Sequence, residues 1–141
     1  MKLRIKGDSI RLRLGRSEVD RLAAGGAVVE STTFDPMGRQ RFEYRLVADR
    51  DADEVVAALE DNRLTVRVPA GRAAAWGRSD AIGIAVEQGI GDGKALRILI
   101  EKDLECLDGP PGESQADAFA RPGGAACGPA DRVAMPAEAG R

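Results

Sequence analysis

The chain contains no histidine. This absence excludes Ser-His and Cys-His catalysis, imidazole metal sites and the commonest general base at neutral pH. An enzymatic mechanism would therefore have to use carboxylates, lysines, Tyr44 or a cysteine, and the sequence shows no catalytic constellation of such groups. We expect a protein that is not an enzyme and that needs no cofactor.

Cysteine is scarce as well, and long apolar runs are missing. Cys106 and Cys127 lack the Cys-x-x-Cys spacing of metal and redox sites, so we expect two reduced thiols rather than a structural disulfide. No segment approaches the roughly 20 apolar residues that are needed to span a bilayer. Residues 1–6 alternate charged and apolar side chains, unlike a signal peptide. These features favour a cytoplasmic protein that does not contact membranes.

The chain of 141 residues suits one domain, and its 31% charged and 43% hydrophobic residues are typical of a globular protein. We predict a single α+β domain over residues 1–107. Residues 108–122 are predicted to be a partly ordered extension that Phe119 pins to the core. Residues 123–141 are rich in Gly, Pro and Ala, and they are predicted to be a flexible tail because they have little apolar surface to offset the entropy of ordering.

Apolar positions of the first fifty residues recur 54 positions later, which indicates an internal repeat. The matched positions include Ile10, Leu12 and Leu14 with Leu64, Val66 and Val68, and Phe42, Tyr44 and Leu46 with Leu96, Ile98 and Ile100. Residues 1–52 and 55–106 are therefore predicted to be two pseudo-repeats. Such a match marks either an old duplication or two segments that converged on one pattern.

Each pseudo-repeat is predicted to have the element order ββαββ. Alternating apolar residues predict strands over residues 2–6 and 10–14, with Ile5 among the side chains that face the core. Ser17 is expected to cap a short helix that ends near Gly25. The remaining strands are predicted over residues 27–34, 40–48, 55–59, 63–68, 82–88 and 95–104, and a second helix from Pro69 through Trp76.

These elements predict an α+β fold, a mostly antiparallel β-barrel or sandwich. We favour the barrel because closure removes the exposed strand edges. The stretch from Gly89 to Lys94 resembles a phosphate-binding loop, but Gln88 and Ala95 stand where that loop needs Gly and Ser or Thr. We therefore interpret it as a hairpin turn, for which Asp92 followed by glycine is a strong signal.

Charge is divided along the chain, because basic residues outnumber acidic ones 11 to 7 over residues 1–50 and are outnumbered 7 to 11 over residues 51–107. Complementary halves favour packing against each other or self-association. The first hairpin carries a predicted basic stripe on one face, formed by Lys2, Arg4, Lys6, Arg11 and Arg13. The stripe is a candidate for binding an anion, an acidic partner or nucleic acid, although most such stripes are only a solvated sheet face.

Acidic residues follow the same alternation in the last predicted strand. Glu101, Asp103 and Glu105 share one face, and carboxylates two residues apart can ligate a hard cation or act as an acid/base pair. They are candidate metal ligands. The alternative is a wet face that complements the basic hairpin.

Three segments of the sequence carry a resemblance to a known family. They are the opening MKLRIKGDSIRLRL, the SEVDRL segment of the first predicted helix, and residues 96–107, LRILIEKDLECL. Together they resemble an uncharacterised family of small bacterial proteins, a domain of unknown function. The resemblance covers about residues 1–122 and implies a bacterial protein, but it brings no activity with it.

A local pattern carries a second resemblance. Residues 64–69, LTVRVP, precede a short predicted helix, Ser79-Asp80 and a further strand. This is similar to the strand-Pro-helix-Gly-Asp-strand pattern of the AbrB-like swapped-hairpin transcription factors and their barrel relatives. The resemblance implies DNA binding by basic residues in a dimer. Here Ser79 replaces the glycine and the surrounding half is acidic, so kinship of fold is favoured over shared function.

The leading hypothesis is a small non-enzymatic binding or interaction domain whose partner is a protein or a second copy of the chain. The first alternative is an AbrB-like nucleic-acid-binding regulator that uses the basic hairpin. The second is a carboxylate-based metal-binding protein or enzyme that uses Glu101, Asp103 and Glu105.

Overall fold

A computed structural model describes residues 1–104 and 116–120 of the chain. The strands and helices, in chain order, are β1 (Lys2–Ile5), β2 (Ser9–Leu14), α1 (Arg16–Ala23), β3 (Ala27–Thr33), β4 (Arg41–Asp49), β5 (Val56–Glu60), β6 (Arg63–Pro69), α2 (Ala70–Arg78), β7 (Gly83–Gly91) and β8 (Lys94–Lys102). These elements confirm the predicted α+β class. The strands were predictable because their apolar residues alternate with a clear period of two.

The eight strands form two four-stranded sheets. Sheet A has the order β1-β2-β8-β7, and sheet B has the order β3-β4-β6-β5. Four neighbouring pairs are antiparallel hairpins, whereas the central pairs β2–β8 and β4–β6 are parallel. Both sheets are therefore mixed, and each contains one hairpin from either half of the chain.

The favoured closed barrel is wrong. Within residues 1–104 and 116–120, no strand ladder joins sheet A to sheet B. Side chains bridge the sheet edges instead: the Gln88 carboxamide accepts a hydrogen bond from Ala57 N at 2.7 Å and donates one to Ala57 O at 3.0 Å. The hydroxyl of Tyr44, on the central strand β4, donates to the carbonyl of Met1, just before β1, at 3.2 Å. Such bridges satisfy single backbone groups, so the two sheets remain separate.

Side chains from both sheets and both helices meet in one hydrophobic core. The largest fully buried side chains are Leu12, Leu14, Val19, Leu22, Val28, Leu46, Val66, Val68, Ile98 and Ile100. Each such side chain stabilises the fold by about 1.5–3 kcal/mol relative to its exposed state. Ile5 is an exception to the prediction, because it ends β1 and is 58% exposed.

The two helices lie against each other and against the sheets. Trp76 of α2 is buried in the core, as its position in the sequence indicates. A Cβ atom added at Gly77 would lie 2.6 Å from the Cβ of Ala23 in α1. Glycine at position 77 therefore allows the two helices to approach closely.

Residues 116–120, which we call the strap, lie against the start of α1 and the end of β8. Phe119 N donates to Asp103 O at 2.8 Å, and the Phe119 ring packs against the core. Asp117 accepts hydrogen bonds at the N-terminus of α1, where Gly15 is the N-cap residue. The predicted Ser17 cap is therefore wrong, because Ser17 lies inside the helix and donates to Asp117 instead.

Some predictions fall on residues outside the described ranges. These residues are Glu105, Cys106, Cys127, the greater part of the predicted extension and the predicted tail over residues 123–141. In the described part of the chain, no helix has the length and the apolar character that crossing a membrane requires.

Candidate functional site

The outer face of sheet A carries most of the basic residues that the sequence singled out. Because Ile10, Leu12 and Leu14 are buried, the alternate residues of β2 lie on the opposite face of the sheet. The strand registers arrange the outer face in three rows. Each row crosses the sheet in the strand order β1, β2, β8 and β7, with Lys6 lying just after β1. The rows are Lys6, Ser9, Arg97 and Glu87; Arg4, Arg11, Leu99 and Ala85; and Lys2, Arg13, Glu101 and Gly83.

Like charges stand directly opposite each other between β1 and β2. Lys2 pairs in register with Arg13, and Arg4 pairs with Arg11. Directly opposed like charges on neighbouring strands destabilise a sheet. The face therefore needs counter-charge, either from the protein itself or from a ligand.

Glu101 supplies that counter-charge at one end of the face. Its Oε1 accepts a hydrogen bond from Arg11 Nε at 2.5 Å and another from Arg13 Nε at 2.8 Å. Asp103 Oδ2 lies 3.1 Å from Lys2 Nζ. The Glu101 side chain is only 12% exposed, so this carboxylate is held in place between the two guanidinium groups.

The other end of the face is a shallow trough with an excess of positive charge. It encloses about 1040 Å³, and its cations are Arg4, Lys6, Arg11, Lys94 and Arg97. Leu99 and Ala85 form an apolar part of its lining, and Asp8 and Glu87 are its carboxylates. We refer to this region as the cationic trough.

Three of the trough cations, Arg4, Lys94 and Arg97, have weak counter-charge or none among the described residues. Arg97 Nε lies 3.8 Å from Glu87 Oε1, and with side chains 79% and 70% exposed this pair contributes little. Within the described residues, the Arg4 guanidinium and the Lys94 ammonium form no ion pair or hydrogen bond. The trough can therefore accept negative charge from outside at Arg4, Lys94 and Arg97.

Sheet B offers a comparison, because its outer-face arginines have partners. Arg63 Nε lies 2.8 Å from Glu43 Oε1, and Arg67 Nε lies 3.6 Å from Asp49 Oδ2. Arg45 Nε donates to Thr65 Oγ1 at 3.0 Å. The excess of positive charge is thus a property of sheet A rather than of both faces.

The candidate metal ligands are engaged elsewhere. Glu101 binds two arginines and Asp103 binds Lys2, as described above, while Glu105 lies outside the described residues. Among residues 1–104 and 116–120, no three acidic, histidine or cysteine side chains are grouped as metal ligands. Glu101 and Asp103 thus form ion pairs with the basic hairpin, and their role as metal ligands stays a prediction.

Aromatic side chains are absent from the lining of the trough. Phe42 and Tyr44 lie together at the core side of sheet B, with ring centroids 6.2 Å apart. Partial burial, followed by the charges of Glu30 and Glu18, raises the pKa of the Tyr44 hydroxyl. The lining of the trough thus presents charged side chains, and it offers no ring on which a base could stack.

A second charged group lies under the strap. Lys102 is buried, and its Nζ donates to Ser79 O at 2.6 Å. The same Nζ lies 5.6 Å from the Trp76 ring centroid and 5.4 Å from the Phe119 ring centroid. Lys102 is therefore enclosed by two rings and a carbonyl, as a structural cation rather than an accessible one.

The sequence indicated part of the trough and missed the rest. Arg4, Lys6 and Arg11 were in the predicted stripe, but Arg97 and Lys94 were not. Arg97 alternates with Leu96 and Ile98, so its outward position could have been predicted. Its place beside the first hairpin depends on the parallel β2–β8 pairing, which no local signal specifies.

Comparison with known proteins gives a family and nothing more specific. A family model described as a family of unknown function (DUF7009) matches residues 1–123. No curated protein and no solved structure matches the chain. The predicted resemblance to an uncharacterised family is confirmed, whereas the AbrB-like resemblance stays a prediction.

Proposed function

Because the chain belongs to DUF7009, a family of unknown function, its role must be inferred from its own surface, and we propose a small non-enzymatic domain that binds an anionic partner. The binding site is the cationic trough. The single observation that carries this proposal is the set of five trough cations, of which Arg4 and Lys94 have no partner among the described residues.

The effect of these charges on folding stability also supports the binding of an anion. Arg4 lies directly opposite Arg11; Glu101 neutralises Arg11, but the like charge of Arg4 has no counter-charge among the described residues and costs folding free energy. Residues that oppose stability are commonly found where a protein binds something, because function and not stability selects them. A bound anion would relieve the repulsion and stabilise the folded chain.

Nucleic acid is the second candidate for the anion. The stripe of Lys2, Arg4, Lys6, Arg11 and Arg13 favours it, since five basic side chains share one hairpin face. Three of them are already neutralised, because Glu101 binds Arg11 and Arg13 and Asp103 binds Lys2. This internal neutralisation favours a smaller anionic partner over a long phosphate backbone.

We also propose that the two halves of the chain are pseudo-repeats within one domain over residues 1–107. The register of β1–β2, which pairs Lys2 with Arg13, recurs in β5–β6, where Val56 pairs with Arg67. The parallel registers agree as well, because Ser9–Arg97 corresponds to Arg63–Glu43 after a shift of 54 residues. We also propose a bacterial cytoplasmic location, where two cysteines without Cys-x-x-Cys spacing would stay reduced.

Calorimetric titration of the full chain with inorganic tripolyphosphate tests the binding proposal. We expect binding that weakens as salt rises, because exposed charges are screened within about 8 Å at physiological ionic strength. The double substitution Arg4→Gln with Arg97→Gln should weaken binding at least about tenfold, a loss of 1.4 kcal/mol.

Arg50→Gln with Arg72→Gln is the matched control, because it also removes two positive charges, from exposed positions outside the trough. It should leave the affinity within about twofold of the wild type, as expected for a charge outside the site. Equal losses in the trough and control variants would show that only net charge matters. Absence of binding at low salt would contradict the proposed function.

A further inference from the structure

We infer that the anionic partner of the cationic trough is an extended acidic protein segment with carboxylates at alternate residues; this inference rests on the proposed function. The fold itself contains such an arrangement. Glu101 near the end of β8 and Asp103 just beyond that strand are two residues apart, and both are bound by cations of the first hairpin.

The ion pairs of Glu101 and Asp103 show how the first hairpin binds acidic side chains. Arg13 and Glu101 are aligned across the parallel β2–β8 pair, so the guanidinium and the carboxylate meet on one face. Lys2 reaches Asp103, which lies two residues further along the chain. One segment with carboxylates at alternate positions thus satisfies cations on β1 and β2 together.

The cations of the trough repeat the spacing of that internal arrangement. Arg4 and Lys6 are alternate residues at the first hairpin, so their Cα atoms are separated by about 6.6–6.8 Å along the strand. Alternate residues of an extended segment have the same separation. A carboxylate at every second position can therefore meet successive cations without a change of register, whereas consecutive carboxylates point to opposite sides of the segment.

The size of the trough fits a short segment. Its lining residues extend across all four strands of sheet A, and four strands have three spacings of about 4.8 Å, or roughly 14 Å. An extended segment that runs parallel to the strands fits within that width, because one extended chain occupies a single spacing of about 4.8 Å. Leu99 and Ala85 offer apolar contact to an uncharged residue of such a segment.

Two features disfavour nucleic acid in the trough. Its lining has no aromatic ring for base stacking, as stated above. Asp8 and Glu87 also lie in the lining, where they would repel a continuous phosphate backbone but tolerate the uncharged residues of a peptide.

Fluorescence anisotropy of labelled peptides with the full chain tests the inference. The test peptide is seven residues of alternating Glu and Thr with Glu at both ends, and the matched peptide has the same composition with its four Glu residues consecutive. We expect the alternating peptide to bind at least about fivefold more tightly. Arg4→Gln with Arg97→Gln should remove this preference, while Arg50→Gln with Arg72→Gln should keep it. A short DNA duplex and inorganic tripolyphosphate are the comparison anions.

Each outcome decides a different point. Equal affinity for the two peptides would overturn the alternating pattern but leave anion binding in place, because total charge would then explain both. Tighter binding of the duplex than of either peptide would replace the acidic segment with nucleic acid. Failure of all four probes to bind at low salt would overturn the proposed function and this inference with it.

Discussion

The carboxylate of Asp117 caps helix α1 through Ser17, which lies 100 residues earlier in the chain. Asp117 Oδ1 accepts a hydrogen bond from Ser17 N at 3.0 Å, and the Asp117 carbonyl accepts one from Arg16 N at 2.7 Å. The first turn of a helix has backbone N–H groups without partners inside the helix. The strap therefore supplies what a local N-cap side chain usually supplies, because Gly15 has no side chain to do so.

Gly15 is required by this contact rather than by its backbone conformation. An added Cβ atom would lie 2.4 Å from Asp117 Oδ2, although Gly15 has an ordinary φ of −69°. We expect Gly15→Ala to lower the free energy of unfolding by about 1–3 kcal/mol, the usual cost of overpacking. Urea denaturation measures it. In an Asp117→Ala background the same substitution should cost clearly less, and additive losses would show that the two residues do not interact.

The strap contact should weaken in acid. The hydrogen bonds from the Ser17 side chain and backbone lower the pKa of Asp117 below its ordinary 3.8. A lowered pKa in the folded state means that the contact stabilises the protein fully above pH 3.8 and is lost as the pH falls through the folded-state pKa. The difference in Tm between wild type and Asp117→Asn should therefore be constant above about pH 5 and shrink below it. A Tm difference independent of pH, or an Asp117 carboxyl that titrates normally by NMR, would contradict this.

Two glycines of α2 should respond to alanine in opposite ways. Gly71 has open space around its Cβ position, so Gly71→Ala should raise stability by up to about 1 kcal/mol through the helix propensity of alanine. Gly77→Ala should lower it by about 1–3 kcal/mol, because the new methyl group would meet Ala23. Thermal melts of both variants measure the difference. Rescue of Gly77→Ala by Ala23→Gly would locate the clash, and stabilisation by both alanines would refute it.

Glu101 competes with an external anion for Arg11 and Arg13. Replacing it by Gln keeps its size and removes its charge, so Arg11 and Arg13 become available to an external anion. We expect Glu101→Gln to bind the alternating Glu-Thr peptide about 2- to 10-fold more tightly, up to 1.4 kcal/mol. Glu60→Gln, an exposed change on sheet B, is the control. Unchanged affinity in the Glu101 variant would show that this carboxylate does not compete.

Lys102 is a stabilising cation because its ammonium has a defined partner in Ser79 O. Lys102→Met keeps an unbranched apolar side chain but leaves that carbonyl without its donor. We expect a loss of about 1–3 kcal/mol, together with a change in the emission of Trp76, the only tryptophan of the chain. Lys94→Met, at an exposed position, should change stability by less than about 0.5 kcal/mol. Equal effects would mean that the enclosure of Lys102 has no energetic importance.

The local pattern of the sequence was sufficient to predict the strands and helices. Alternation from Ile10 to Leu14 assigned one face of β2 to the core, and Asp92-Gly93 identified the turn of the β7–β8 hairpin, where both residues have positive φ. Alternation fixes which side of a strand is buried but not which strand lies next to it. The parallel pairing of β2 with β8, and with it the separation into two sheets, was therefore not predictable from these signals.

The candidate site was predictable to the same extent. The stripe from Lys2 to Arg13 follows from alternation within one hairpin, which is a local property. Its neutralisation by Glu101 and its extension by Arg97 both come from β8, about 90 residues away in the chain. The sequence also placed the cap of α1 at Ser17, whereas the actual acceptor, Asp117, belongs to a segment that no local rule connects with the helix.

The parallel β2–β8 pair has a consequence for synthesis of the protein. The first hairpin leaves the ribosome long before its neighbour β8, and at 5–20 residues per second the delay is roughly 4–18 seconds. During that interval β2 has an open edge and an uncovered apolar face, which are the features that recruit chaperones or neighbouring nascent chains. Sheet A is therefore completed only when β8, the last of its four strands in chain order, has been made, so that this sheet forms late rather than segment by segment.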